Sequence, residues 1–315
     1  MSTLSILNSV SSAANESSGN AHKRLITLGA ITAILGATAL LYYGLGYYLT
    51  AAADRPYHPR HEMLRPTGTV GLSLGFFGVF LFLLIFLYPL RKHWQWLGNL
   101  GNSRHWFNFH ILIGVSAPVV IAFHASFKFR GLAGIAYWIM FAVALSGIVG
   151  RYIYAQIPRS RNSTELSLQE LKELQEKMMQ GLSGQRLVRP ADLARLFRFP
   201  AAVYVERESA IRAFFALLWI DFVRPFRVAR IRRQALNFGT NLLTLGGMLS
   251  SRNRELERIV NLAREQARLS KKLLFLRKSQ QILHLWHVIH RPFSYTFAVL
   301  AITHVAVALL FGFRS

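Results

Sequence analysis

The hydrophobic positions of this chain fall into five long runs that contain few or no charged residues. About 20 apolar residues in a helix are enough to cross the hydrocarbon core of a bilayer, so each run predicts one membrane span. Basic residues or prolines mark several of the run ends. The five predicted spans cover residues 25–50, 69–90, 106–127, 132–154 and 288–313.

The segments outside these runs have a different pattern. Residues 1–22 are rich in Ser, Asn and Ala and predict a disordered tail. Residues 159–283, between the fourth and fifth runs, are mostly polar with apolar positions at helical spacing. This insertion predicts helices at 163–180, 191–199 and 252–281, the last leading directly into the fifth span, and an apolar interfacial helix at 214–226.

Composition supports an integral membrane protein and excludes several kinds of redox chemistry. The chain is 52% hydrophobic and has no cysteine, which excludes c-type haem attachment, cysteine-ligated iron–sulfur clusters and disulfides within it. Its net charge of +23 could favour nucleic acid, but the basic residues lie beside aromatic residues. That pattern predicts contact with membrane lipid and no nucleic-acid partner. The densest basic run contains Arg224, Arg227, Arg230, Arg232 and Arg233.

Loop charge predicts the orientation of the spans. Residues 159–278 contain 24 Lys and Arg against 11 Asp and Glu, a net charge of +13. Because cytoplasmic loops carry an excess of Lys and Arg, we expect the N-terminus and this loop in the cytoplasm, with the spans in a bacterial inner membrane. The predicted fold is an all-α integral membrane protein. It is a five-span helical bundle (23–158 and 284–315) with a long helical cytoplasmic insertion (159–283) between spans four and five.

Two pairs of histidines lie in the third and fifth runs at equal spacing: His110 and His124, and His290 and His304. An α-helix closes four turns in about 14.4 residues, so both members of a pair lie on one face, roughly 21 Å apart along the axis. This separation puts one histidine near each boundary of a hydrocarbon core roughly 30 Å thick. Two such helices can ligate two stacked haems, whereas a more ordinary interpretation is hydrogen bonding between helices.

Helical phase selects these histidines from their neighbours. His290 lies about 40° from His304 around the helix axis, but His287 lies about 100° away. In the third span the same test prefers His110 to His105, because His105 lies about 100° from His124. The histidines that it assigns to interfacial, proton-binding or quinol-binding roles are His105, His284 and His287.

Span order predicts how the ligands pair. Spans three and five are separated by one span and a loop that returns to the same side, so they run parallel. This order pairs His110 with His290 near the cytoplasm, and His124 with His304 near the outside. An additional crossing within 235–250 would exchange the partners and still leave two haem sites.

Cations flank both predicted sites: Arg104 and Arg291 at the inner one, Lys128 and Arg130 at the outer one. Such groups would neutralise haem propionates directed toward the membrane surfaces. They equally serve as ordinary span boundaries, and both interpretations stay open. The glycines that would let a porphyrin, or only a neighbouring helix, approach the backbone are Gly114, Gly147 and Gly150.

The pattern His110-x13-His124 and His290-x13-His304 resembles that of the di-haem b-type membrane cytochromes. The ferric-reductase and NADPH-oxidase membrane domains are similar in helix arrangement, and the cytochrome b of quinol-oxidising complexes shares the spacing. The resemblance covers mainly spans three to five. It implies two haems b with bis-histidine ligation, which leaves no open position on the iron.

Departures from these families lead to expectations about partners. Only 11 residues follow His304, too few for the flavin and nicotinamide domain of ferric reductases, and the quinol-site motifs of the other group are not recognisable. We therefore expect a cytochrome b subunit of a larger respiratory or redox complex. It would exchange electrons with quinone or with a partner redox subunit, such as an iron–sulfur, flavin or c-type cytochrome protein.

Two alternatives stay open at this level. A stand-alone quinol-dependent reductase of ferric chelate or another external acceptor would need an outer site, for which His58 and His61 are candidates. A haem-free transporter or membrane anchor would use its histidines only as proton-binding or packing groups.

Overall fold

A computed structural model describes residues 3–91, 93–157, 202–236 and 244–312, with side chains from Asn20 onward except at 202 and 203, and also Glu173, Glu176 and Gln180. Within these ranges every regular element is a helix and none is a strand, which confirms the all-α prediction. The predicted helices at 163–180 and 191–199 lie outside the described residues, apart from the three isolated positions, which are helical.

Five of the described helices are long and apolar enough to cross a membrane. They are α1 (Thr3–Leu49), α3 (Thr69–Arg91), α5 (Ser103–His124), α6 (Gly131–Gln156) and α10 (Leu276–Phe311). The other helical segments are a 3₁₀ turn (Arg55–Tyr57), α2 (His61–Leu64), α4 (Gln95–Gly98), α7 (Ala202–Arg207), α8 (Ala210–Ala235) and α9 (Arg254–Leu274).

Three boundaries differ from the sequence predictions. α1 includes most of the segment 1–22, where composition predicts disorder; this alanine-containing, proline-free stretch is compatible with continuing the helix of the first span. α5 ends three residues early because Ser126 and Phe127 have positive φ angles and turn the chain. The charged helix that precedes the fifth span is interrupted at the buried residue Phe275, which separates α9 from α10.

The chain forms two compact units, and the first contains Met1–Val149 and Ile289–Ser315. In this unit α5 packs chiefly against α3 and also contacts α1. Apolar side chains of α3, α5 and α6 form one buried cluster, and residues of α1, α2 and α5 form another. The two clusters contain Leu81, Ile113, Ala117 and Met140, and Tyr47, Tyr48, Leu64 and Phe123, respectively.

Two buried arginines fasten loops of the first unit. Arg55 donates hydrogen bonds to the carbonyl oxygens of Tyr48 at 2.8 Å and Ser126 at 2.6 Å. Arg91, at the end of α3, is only 9% exposed, although the sequence presents it as a loop charge. Its guanidinium donates to the carbonyl oxygens of Leu97, Gly98 and Gly101 and to the hydroxyl of Ser103.

The second unit contains Gly150–Val288, and in it α8 packs against α9. Two buried apolar clusters stabilise this unit. One cluster joins α8 and α9 directly, and the other surrounds Leu217 and Phe275. The first cluster contains Val228, Ile231, Leu256, Ile259, Val260, Ala263 and Ala267.

An ion pair anchors α8 within the second unit. The Asp221 carboxylate accepts hydrogen bonds from the Lys271 ammonium at 2.6 Å and from the Tyr152 hydroxyl at 2.7 Å. Burial alone would raise the pKa of Asp221, but hydrogen bonds from Lys271 and Tyr152 outweigh it and hold the pKa below its usual range. Burial lowers the pKa of Lys271 to about 8, so this amine is still largely protonated at pH 7.

Arg91→Lys keeps the positive charge but loses the planar fork that reaches several carbonyls at once. Hydrogen bonds from charged groups contribute roughly 1.5–3 kcal/mol each, so we expect the free energy of unfolding to fall by about 3 kcal/mol. Circular dichroism during thermal unfolding in detergent would show a lower Tm than for Arg24→Lys, a matched change at an exposed position of the same unit. Equal Tm values for the two variants would contradict this role of Arg91.

Candidate functional site

The four predicted ligand histidines lie on two helices of the first unit. α5 carries His110 and His124, and α10 carries His290 and His304. The first three are half-buried, and His304 is exposed. Three of the four have hydrogen bonds to a neighbouring helix that define which ring nitrogen holds the proton.

His124 is held by α3. Its Nδ1 atom lies 2.8 Å from the carbonyl oxygen of Gly71, and because a carbonyl can only accept, Nδ1 must donate. The neutral ring therefore has its lone pair on Nε2, the nitrogen available to a metal. Gly75 permits this packing, since a Cβ atom there would lie 2.8 Å from Cε1 of His124.

His110 has the same arrangement on the same neighbour. Its Nδ1 lies 3.0 Å from the carbonyl oxygen of Ile85 in α3, so this nitrogen also carries the proton. The ring of Tyr88 packs against the imidazole with a centroid separation of 5.2 Å. α3 thus orients both histidines of α5.

His290 is oriented by α6. Its Nδ1 lies 2.7 Å from the hydroxyl oxygen of Ser146, whose own proton is donated to the carbonyl of Val143 at 2.8 Å. When this proton is donated to Val143, the hydroxyl accepts from Nδ1 and the lone pair of His290 lies on Nε2. Gly147 adjoins this ring, because a Cβ atom there would lie 3.9 Å from Cε1.

The two histidines predicted to form the outer site, His124 and His304, line one cavity of about 560 Å³, which we call the outer cavity. Cofactor cavities typically have volumes of roughly 300–1,000 Å³ and mostly apolar walls. α3, α5, α6 and α10 all contribute to this cavity, whose walls are almost entirely apolar. The structure therefore brings together the two histidines that span order assigns to one site. Its other lining residues include Gly75, Phe82, Ala117, Tyr137, Met140 and Phe297.

The predicted cations differ in their relation to this cavity. Lys128 lines it together with the two histidines. Arg130 is exposed after the end of α5, and Arg104 is exposed in the first turn of that helix. Arg291 is exposed beside His290 on α10. Lys128 is thus the one predicted cation among the residues that line the outer cavity, and all four cations are exposed.

The rival histidines have other contacts. His287 directs Nδ1 to the carbonyl of Leu283, one turn earlier in its own helix. His105 stacks on His22 of α1 with ring centroids 3.8 Å apart, and His284 is exposed. Among these histidines, His110, His124 and His290 bond to a second helix, while His287 bonds to its own.

Several residues that position the histidines were missed by the sequence predictions. Gly71, Gly75 and Ser146 contribute through tertiary contacts that periodicity does not show, although repeated glycines in an apolar run are a general indication of close helix approach. The predicted porphyrin-facing glycines have different surroundings. A Cβ atom at Gly114 would meet nothing within 4 Å, and one at Gly150 would collide with the indole of Trp286.

Among the described residues, no group of three or more His, Cys, Asp or Glu side chains could hold a metal ion. A bis-histidine haem site needs only two protein ligands for each iron. No protein-family model, curated protein or solved structure matches the chain.

Gly75→Ala tests the close approach of His124 to α3. The added methyl group would force the imidazole to move, and such overpacking typically costs about 1–3 kcal/mol. We expect a lower Tm in thermal unfolding. Gly36→Ala is the matched control in another membrane-length helix, because a Cβ atom there meets nothing within 4 Å. If Gly75→Ala were as stable as the control, the described packing of His124 would be wrong.

Proposed function

We propose that this chain is a membrane cytochrome b that binds two haems through paired histidines and transfers electrons across the membrane. It would act as a subunit of a larger respiratory or redox complex and exchange electrons with quinone or with a partner redox protein. The observation that carries this proposal is the apolar cavity shared by His124 and His304.

The exposed apolar surface supports residence in a membrane. The most apolar windows of α1 and α10 contain no buried residue. Val299 of α10, for example, is 63% exposed. Contiguous apolar surface on this scale is costly in water and favourable in lipid. From the distribution of loop charge, we place the N-terminus and the large loop in the cytoplasm and propose that the membrane is the bacterial inner membrane.

The residues of the outer cavity fit a haem b. His124 and His304 would hold the group, with His124 presenting Nε2 because its Nδ1 donates to Gly71. The apolar walls suit a porphyrin and exclude water, and Lys128 would bind a propionate. Arg130 would contribute charge from the adjoining surface.

For the inner site, His110 and His290 would be the ligands. Each presents Nε2 for the same reason, since Ile85 and Ser146 accept the Nδ1 protons. A hydrogen bond donated by the ring nitrogen that does not bind the metal fixes the orientation of the ring and raises the basicity of the ligand. Arg104 and Arg291 would neutralise the propionates.

Haem, when bound, supplies one-electron chemistry, while the protein determines its potential and spacing. With two imidazoles bound to each iron, the chain's own residues would bind, orient and shield the group rather than react. The two histidines of each helix, roughly 21 Å apart along the axis, would hold one group toward each side of the membrane.

Substitution of a ligand tests the proposal. His304→Ala and His110→Ala should each remove one of two haems and reduce the α-band of the reduced-minus-oxidised spectrum by about half, since bis-histidine ligation needs both partners. His287→Ala is the control, because its ring bonds to its own helix. An unchanged α-band in either ligand variant would refute that ligand. A folded but colourless parent protein would refute the whole proposal.

Ser146→Ala tests the inner site without removing a ligand. Loss of the acceptor for the Nδ1 proton should make His290 a weaker donor to iron and favour the ferrous state. We expect a redox titration to show one midpoint potential raised and the other unchanged. Ser116→Ala is the control, because that hydroxyl donates to its own helix at Leu112. Identical titrations for both variants would contradict the assignment of His290.

A specific contact favours a second candidate, the stand-alone reductase. His58 and His61 both lie against the buried ring of Tyr47, with centroid separations of 5.5 and 5.8 Å. The Tyr47 hydroxyl is also 3.3 Å from Nδ1 of His61. Such a cluster could supply protons to an external acceptor.

His61→Ala distinguishes the two candidates. For an electron-transfer subunit we expect both haems and the rate of reduction of a ferric chelate by quinol to stay as in the parent. A selective loss of this rate with both haems retained would favour the reductase instead.

A further inference from the structure

α8 of the second unit has apolar residues on two opposite faces. The inner face carries Ala213, Leu217 and Ile220, which are buried in the cluster around Phe275. A globular protein normally needs only one such face for a surface helix. The second apolar face therefore requires an explanation.

The outer face is a stripe of large exposed side chains, among them Phe215, Trp219 and Phe222, which are 62%, 65% and 63% exposed. Trp219 stacks on Phe222 with a centroid separation of 6.0 Å, so the stripe is continuous. At 100° per residue its members span roughly 80° of the helix circumference. We call this the aromatic stripe of α8: Ile211, Phe215, Trp219, Phe222 and Phe226.

Packing determines where α8 lies along the lengths of α6 and α10. Its inner face contacts Ile153, near the end of α6, and Ile282 of α10, and Phe214 packs on the ring of Tyr152. On the proposed function these residues of α6 and α10 lie where two spans leave the membrane. A helix packed there lies at the depth of the lipid headgroups, where Trp side chains are enriched.

The charge of α8 identifies the lipid. The helix contains six arginines and one acidic residue. That acid, Asp221, points to the buried side and pairs with Lys271. Arg212, Arg230 and Arg233 are exposed. An exposed surface with an aromatic stripe and only arginines as exposed charges on its helix complements anionic lipid and repels cationic ligands.

We propose that α8 is an interfacial helix whose aromatic stripe inserts at the headgroup–acyl boundary of an anionic bilayer, while its exposed arginines bind lipid phosphates. This proposal rests on the proposed function insofar as α6 and α10 are taken as spans. The ion pair between Asp221 and Lys271 sets the rotation of α8, so that the stripe faces outward.

The absence of cysteine makes the test site-specific. Single cysteines would be introduced into the full chain by Phe222→Cys, by Asn261→Cys at an exposed polar position of α9, and by Val299→Cys on α10. Each would carry a bimane fluorophore in vesicles of phosphatidylcholine and phosphatidylglycerol. Quenching by brominated acyl chains would be compared with quenching by aqueous iodide, and circular dichroism and haem spectra would verify the fold.

We expect brominated lipid to quench the fluorophore at Phe222 several-fold more than at Asn261, and iodide to show the reverse. Quenching by brominated lipid at Phe222, but not at Val299, should fall when phosphatidylglycerol is replaced by phosphatidylcholine. Undiminished lipid quenching at Phe222 would overturn the role of anionic lipid.

Other outcomes separate this proposal from the proposed function. Iodide quenching at Phe222 together with lipid quenching at Val299 would show that the aromatic stripe of α8 faces water. This result would overturn the lipid proposal alone. Protection of Phe222 from both quenchers would show that protein covers the stripe, which also overturns it. Iodide access to Val299 would contradict the membrane placement on which both depend.

Discussion

An imidazole inside an apolar helix bundle must find a hydrogen-bond partner, and this requirement explains how the helices of the first unit meet. A buried polar group without such a partner is costly in an apolar environment. α3 supplies two carbonyl oxygens, at Gly71 and Ile85, and α6 supplies the hydroxyl of Ser146. The approach of α5 to α3 is close enough that Gly75 can carry no side chain without displacing His124.

The same hydrogen bonds connect packing with chemistry. Because Nδ1 donates in His110, His124 and His290, each ring has its lone pair on Nε2. In the proposed haem sites, the hydrogen bond to a neighbouring helix and the bond to iron would thus use different nitrogens of one imidazole. At the outer site the four helices also leave an apolar cavity, which supports a large planar cofactor better than it supports histidines that serve only in packing.

Much of this architecture was predictable from the sequence, because hydropathy and helical phase are local properties. Each long helix covers most of one apolar run, and phase distinguishes His290 from His287 without knowledge of the fold. The supporting residues were not predictable in this way. The contact of Ser146 with His290 depends on how α6 faces α10. Arg91 is read as a loop charge until its buried carbonyl partners are known. The sequence pattern of α8 also does not show which of its two apolar faces is buried.

Electron paramagnetic resonance of the oxidised, purified full-length protein tests the central claim most directly, since low-spin ferric haem with two imidazole ligands has a characteristic spectrum. We predict two low-spin signals per chain, of which His304→Ala eliminates one and His110→Ala eliminates the other. A spectrum without low-spin haem, or a dominant high-spin signal from an iron with an open axial position, would contradict paired ligation by these four histidines.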